Sequence, residues 1–173
     1  VDKNGLVTGV SNGTAIISAR IDNGRYATIP VRVRTTPTAV KLDNNNPIID
    51  LSKTNELKLN ATIEPSTANY QTGLTWTSSD TSVATVDKDG NVIEIKNGKT
   101  IIRVETENGK FIEVNLTVQT SPTGIELDRK NIILDLSGTK KITLNATISP
   151  STANVENEIT WTIENPVVAK VEN

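Results

Sequence analysis

The sequence predicts an all-β protein built from tandem antiparallel β-sandwiches. Three observations carry that reading. Leu57-Lys-Leu-Asn-Ala-Thr-Ile-Glu-Pro-Ser-Thr-Ala-Asn69, which leads on to Leu74-Thr-Trp76, returns 85 residues later as Ile142-Thr-Leu-Asn-Ala-Thr-Ile-Ser-Pro-Ser-Thr-Ala-Asn154 and Ile159-Thr-Trp161. Apolar and polar residues alternate with the two-residue period of a half-buried strand, and Gly, Asn, Asp and Pro clusters separate the short runs. No window carries helical periodicity, and seven or eight strands per repeat suit a sandwich better than a solenoid or a propeller blade.

The 173 residues hold about two repeats. Residues 1–35 align with 86–120 without a gap at 13 identities, and 36–88 align with 121–173 at 26 identities. In the first segment, Gly13-Thr-Ala-Ile-Ile-Ser-Ala places Ala15, Ile17 and Ala19 on one strand face. Asp22-Asn-Gly24 predicts a hairpin with a two-residue turn, and Tyr26 to Val33 then sets Ala27, Ile29, Val31 and Val33 on one side. Pro30 has no N–H to give to a ladder, so this strand is expected at a sheet edge there.

Thr35-Thr-Pro-Thr38 and Thr120-Ser-Pro-Thr123 are the junctions. Both are short and both hold the residue before proline extended, so neighbouring repeats are expected end to end with restricted bending. After each junction the reading is the same. Ala39 to Asp43 and Gly124 to Asp128 are first strands, Ile48 to Leu51 and Ile133 to Leu136 second strands. Leu57, Leu59, Ala61 and Ile63 are core positions of the next strand, with Ile142, Leu144, Ala146 and Ile148 as the copy. Leu74 and Trp76 point inward, as does Trp161, and Val83 to Val86 forms the last strand before the Asp87-Lys-Asp-Gly90 turn.

These residues resemble a known family. The run Leu74-Thr-Trp-Thr-Ser-Ser-Asp80, Val83-Ala-Thr-Val-Asp87, Gly90-Asn-Val, together with Val40-Lys-Leu-Asp and Gly98-Lys-Thr-Ile-Ile-Arg-Val, is similar to the bacterial immunoglobulin-like domain of group 2, related in architecture to the domains of invasin and intimin. The third copy departs from it with Trp161-Thr-Ile-Glu-Asn-Pro166, and residues 98–100 read Gly-Lys-Thr where 13–15 read Gly-Thr-Ala. The resemblance implies Ig-like sandwiches, and the phase of the 85-residue repeat makes 1–35 the C-terminal part of one repeat, 36–120 a complete repeat and 121–173 the N-terminal part of another. It also implies presentation on the bacterial cell surface or outside the cell, as an adhesive or structural module, and no fixed ligand.

The phase of the repeat adds an expectation about partners. Both partial repeats carry apolar rows that neither can bury alone. The second partial repeat of one molecule is therefore expected to be completed by the first of the next, as a head-to-tail fibre. Ala15, Ile17, Ala19, Ile29, Val31 and Val33 would meet Leu144, Ile148 and Trp161. The competing reading is a piece of a longer chain cut at an exposed turn.

Chemistry is sparse. With no Cys and no His there is no thiol, imidazole base or common transition-metal ligand, and the acidic residues form no evident catalytic pair. Neither a catalytic residue nor a cofactor is expected. The net charge of −2 gives no field for nucleic acid, and no stretch of 18 apolar residues predicts membrane insertion. Asp87-Lys-Asp-Gly90 looks like half a calcium loop but lacks the remaining ligands, and reads as a β-turn. Trp76 and Trp161 alternate with threonines and read as core rather than as sugar-stacking platforms. The Asn-X-Thr triplets at Asn12, Asn60, Asn115 and Asn145 read as chance matches in a chain rich in both residues. Tyr26 and Phe111, each beside a cation, are candidate surface contacts. A second functional reading, supported by the difference between the loops 77–81 and 162–166, makes the chain a binding module for a host protein or polysaccharide.

Overall fold

A computed structural model describes residues 1–53, 56–138 and 141–171. Its strands are β1 (Gly13–Arg20), β2 (Tyr26–Val33), β3 (Ala39–Leu42), β4 (Ile48–Asp50), β5 (Leu57–Lys58), β6 (Ala61–Glu64), β7 (Leu74–Ser78), β8 (Ala84–Val86), β9 (Asn91–Glu94), β10 (Gly98–Thr106), β11 (Phe111–Gln119), β12 (Gly124–Leu127) and β13 (Ala146–Ser149). No helix occurs among the described residues.

Residues 36–120 form the sandwich. One layer is the sheet β4-β11-β10-β7, and the other is β3-β6 beside β5-β9-β8. β5 and β6 are two ends of one extended run. Between them, the Leu59 N–H is diverted to the Gly90 carbonyl (2.9 Å), and Asn60 donates its N–H and its Nδ2 to the Asp43 carboxylate (2.9 and 2.6 Å). Alternation decides which side chains meet between the layers. In β10 the inward row is Thr100, Ile102, Val104 and Thr106, and in β11 it is Val114, Leu116 and Val118. These close on Val40, Leu42, Leu59 and Val92 of the opposite layer in a single aliphatic core, with Leu57, Ala61, Leu74 and Trp76 packed against it. Gly90 is required where it stands. Its φ of +83° is left-handed, and a Cβ there would run into the Leu59 carbonyl and the Trp76 ring.

The hairpin tips differ from the expectation by one residue. Ile21 donates to the Arg25 carbonyl (3.0 Å) and Thr106 to that of Lys110 (2.8 Å), so each loop has three residues. Only the glycine is left-handed, Gly24 at +86° and Gly109 at +80°. Asn23 and Asn108 stay at negative φ, which a two-residue Asn-Gly turn would not allow.

The flanking segments keep local pairing without the sandwich. β1 and β2 pair with Ile17 opposite Ile29, the register that Ile102 and Val114 adopt in β10 and β11. β12 and β13 pair with Ile125 opposite Ile148, as Val40 pairs with Ile63. The strand expected at 133–136 is not formed, and neither Ile142 to Leu144 nor Ile159 to Trp161 lies in a strand. The reason is pairing: β4 exists by pairing with β11, β5 with β9 and β7 with β10, and the described residues of 121–171 supply no counterpart of those partners.

Leu116, fully buried at the centre of β11, tests the core. Leu116→Ala is expected to lower the stability of the central sandwich by about 2–5 kcal/mol, read by urea unfolding through Trp76 fluorescence with Trp161→Phe in both proteins compared. A loss well below 1 kcal/mol would place the core elsewhere.

Candidate functional site: the joints between repeats

Each boundary between repeats is closed by one set of hydrogen bonds, made by the same residue types. At the first, the Asn12 amide donates to the Thr67 carbonyl (2.6 Å), and the Thr35 hydroxyl donates to Asn12 Oδ1 (2.8 Å). Thr35 and Asn69 then pair reciprocally: the Thr35 N–H reaches Asn69 Oδ1 (3.0 Å) and the Asn69 N–H reaches the Thr35 carbonyl (2.9 Å). At the second boundary Asn97, Thr120, Thr152 and Asn154 repeat the set at 2.7, 2.7, 2.8 and 3.0 Å.

Three short elements make this geometry. The Asn-Gly dipeptide opens the first strand of the β1–β2 or β10–β11 hairpin, its glycine being the first strand residue; at Gly98 a Cβ would lie 2.7 Å from the Val83 Cγ2. The threonine follows the second strand, where Thr120 is 3% exposed and has its N–H, carbonyl and hydroxyl all engaged in the joint. The Pro-Ser-Thr-Ala-Asn loop of the next repeat is folded by the Ala68 N–H on the Pro65 carbonyl (2.8 Å), and likewise by Ala153 on Pro150 (2.9 Å). Thr38 and Thr123 anchor the linkers through their N–H groups to the Glu64 and Ser149 carbonyls, each at 2.7 Å.

The joints differ in their reinforcement. At the first, the Arg34 guanidinium lies 4.2 Å from the Tyr70 ring centre, a cation–π contact across the boundary. The equivalent residues at the second are Gln119 and Val155. The second joint is also tied to the repeat before it: the buried Asp50 carboxylate accepts the Ser121 hydroxyl (2.6 Å) and N–H (3.0 Å), as well as the Ser52 hydroxyl (2.7 Å) and N–H (3.1 Å), with Lys53 at 3.2 Å. The Ser121 hydroxyl, and then that of Ser52, hold the Asp50 carboxyl far below the usual carboxylate range.

The residues singled out from the sequence fall in several places. Leu59 is fully buried, Leu57, Ala61, Ile63, Leu74 and Trp76 are half-buried, and Trp76 lines an open cleft with Lys58, Asn60, Asp89 and Asn91. In the copy, Ile142 is 37% exposed, and Leu144, Ala146, Ile148 and Trp161 are half-buried. Ala15, Ala19 and Ile29 are exposed, while Ile17, Val31 and Val33 are half-buried. The Phe111 ring is capped by the Arg103 guanidinium at 3.5 Å, itself held by Glu105 and Glu113 (2.8 and 3.0 Å). Tyr26 has Ser18 at the position of Arg103 and is 72% exposed. Both Asp87 oxygens are used within the turn, by the N–H groups of Asp89 and Asn91 and the Asn91 amide. The joints were not anticipated from the sequence. Their trace there is the recurrence of Asn12, Thr35, Thr67 and Asn69 at 97, 120, 152 and 154, polar positions that no core requires.

Residues 32–114 match the family model of the bacterial Ig-like domain (group 2). Over 177 aligned residues the chain is 28% identical to Ice-binding protein 1 of Shewanella frigidimarina, an alignment covering all of this chain and 20% of that protein. The chain thus spans a fifth of the length of that curated relative. Among solved structures, domains 1–6 of the surface layer protein SbsC align at 21% identity and a TM-score of 0.43, over 80% of this chain and 22% of that one. An intimin mutant of EHEC O157:H7 aligns at 20% identity and a TM-score of 0.35, over 52% and 50%.

Two outcomes test the joint. Asn97→Ala removes both bonds of that amide; with spin labels on cysteines placed at Thr62 and Glu126, the inter-label distance distribution is expected to broaden markedly, while the stability of the central sandwich changes by no more than about 1 kcal/mol. An unchanged width would mean the bonds do not set the orientation. Because the folded Asp50 carboxyl titrates below its unfolded value of 3.8, its contribution is complete above about pH 4 and is lost as the pH falls through the folded value. Asp50→Asn is therefore expected to flatten the loss of stability on acidification below pH 4, measured by urea unfolding across a pH series.

Proposed function

Residues 32–114 being a bacterial Ig-like domain of group 2, we propose that the chain is a structural and adhesive module of a bacterial cell-surface or secreted protein, without enzymatic activity, in which repeats are stacked end to end. The observation that carries this reading is the joint: the same four hydrogen bonds close both boundaries, which makes the relation between successive repeats a property of the repeat itself. A flexible tether would need no such set, and a globular two-domain enzyme would have no reason to repeat it. Small-angle scattering is expected to give an extended particle with one well-defined maximum dimension, and the double variant Asn12→Ala/Asn97→Ala a broadened one. Identical profiles would remove the rigid-stack reading.

Self-association head to tail is the finer part of the proposal. In the central repeat, Ile102, Val104, Val114, Leu116 and Val118 share one core with Leu59 and pack against Trp76. Their equivalents Ile17, Ala19, Ile29, Val31 and Val33 lie on β1 and β2, and those of Leu59 and Trp76 are Leu144 and Trp161. The two sets are complementary halves of one core, and pairing them between copies would bury both. Light scattering over a concentration series is expected to show mass growing in whole multiples of the monomer. A folded species that stays monomeric throughout would exclude it.

A ligand-binding role is the second reading, favoured by the change from Thr77-Ser-Ser-Asp-Thr81 to Thr162-Ile-Glu-Asn-Pro166 in otherwise similar repeats. A glycan array and a pull-down from host extracts separate the two readings: specific capture supports the binding role, and silence at high protein concentration supports the structural one.

A further inference from the structure

A stacked surface module transmits tension, and on that reading the route of tension through residues 36–120 can be followed strand by strand. The chain enters at Pro37, beside the tip of the β10–β11 hairpin, where the Asn108 amide donates to the Pro37 carbonyl (2.8 Å). It leaves through Thr120, at the far end of β11. The nine residues of β11 separate entry from exit by about 30 Å at roughly 3.3 Å per residue. β4 runs parallel to β11, with Ile48, Ile49 and Asp50 opposite Thr117, Val118 and Gln119. The Thr117 N–H on the Pro47 carbonyl (3.1 Å) and the Leu51 N–H on the Gln119 carbonyl (2.8 Å) extend the ladder at both ends. Because the two strands are parallel and joined to opposite exits, tension acts along them and across every ladder bond together. An antiparallel pair pulled at one end would instead open bond by bond.

Asp50 stands where this ladder ends. Its carboxylate reaches past Gln119 to the N–H and hydroxyl of Ser121, the residue that follows the central threonine of the second joint, while Ser52 and Lys53 hold it from its own side. We propose that Asp50 is a tension-bearing bolt, tying the outgoing linker to β4 so that the sandwich and the joint yield together rather than in sequence. The charge-assisted bonds suit the role, being shorter and stronger than the neutral amide bonds of the ladder.

The full chain contains no cysteine, so handles can be attached at chosen positions for single-molecule pulling. With handles on Thr36→Cys and Thr123→Cys, Asp50→Asn and Ser121→Ala are each expected to unfold on the order of tenfold faster at fixed force than the parent. With handles on Thr72→Cys and Glu107→Cys, which load β7 against β10, the same substitutions are expected to leave the rate within about twofold of the parent. Equal acceleration in both geometries would reduce Asp50 to a general stabiliser and overturn the proposal, as would no acceleration in the first. If Asp50→Asn fails to fold, Ser121→Ala decides alone. Single molecules cannot form fibres and meet no ligand, so the result is independent of the self-association and binding arms of the proposed function.

Discussion

A strand in this protein exists only where another strand is present to receive its hydrogen bonds, and the β10–β11 hairpin is the receiver on which the central sandwich depends. The repeat makes this visible within one molecule. Ile48-Ile-Asp-Leu-Ser52 and Ile133-Leu-Asp-Leu-Ser137 differ at one position. Beside β11 the first becomes β4, with Ile49 1% exposed. Away from any such partner, Ile133 and Leu136 are 94% and 82% exposed and the backbone is irregular. Composition and alternation are nearly equal in the two copies, so the difference comes from non-local pairing, which intrinsic β-propensity does not encode.

Much of the fold was legible for the same reason that it is simple. The period of 85, the two-residue alternation and the Asn-Gly punctuation are local signals, and they locate the strands, the inward rows and the hairpins of residues 36–120. The length of the hairpin loops was not legible, since Asn-Gly serves a two-residue turn and a three-residue loop equally and only the register decides. The joints were hidden for a different reason. Asn, Thr and Ser in loops have no periodicity, and their meaning lies in contacts 23, 34 and 55 positions apart in the chain. The Arg103 side chain over Phe111 was equally out of reach, because it depends on two neighbouring strands bringing a cation and a ring to one face.

Core and joint divide the work along the chain. The core is aliphatic and non-directional, and burial of side chains such as Ile102 and Leu116 stabilises it at roughly 25 cal/mol per Å² of apolar surface. The joints are built from neutral side-chain and backbone hydrogen bonds worth about 0.5–1.5 kcal/mol each, too little to hold a fold together and enough to select one orientation. Directional bonds at the boundaries and non-directional burial between them let a repeat vary its surface and its loops without losing its place in the stack. The replacement of the Arg34–Tyr70 contact by Gln119 and Val155, with the four bonds retained, is an instance of that tolerance.

The second joint also separates what a repeat needs in order to dock from what it needs in order to be complete. Residues 121–171 lack the covered sheet of the central repeat, yet Asn97, Thr120, Thr152 and Asn154 meet as their counterparts do at the first joint. So do the local elements behind the docking loop: the β12–β13 pairing, and Asp128 with Asn145 in the place of Asp43 with Asn60. The receiving surface is therefore assembled by a single strand pair and a short loop, without the covering sheet of the central repeat. Orientation along the stack is fixed by these parts, whereas the core of a repeat comes from the pairing of its strands onto a β10–β11 hairpin.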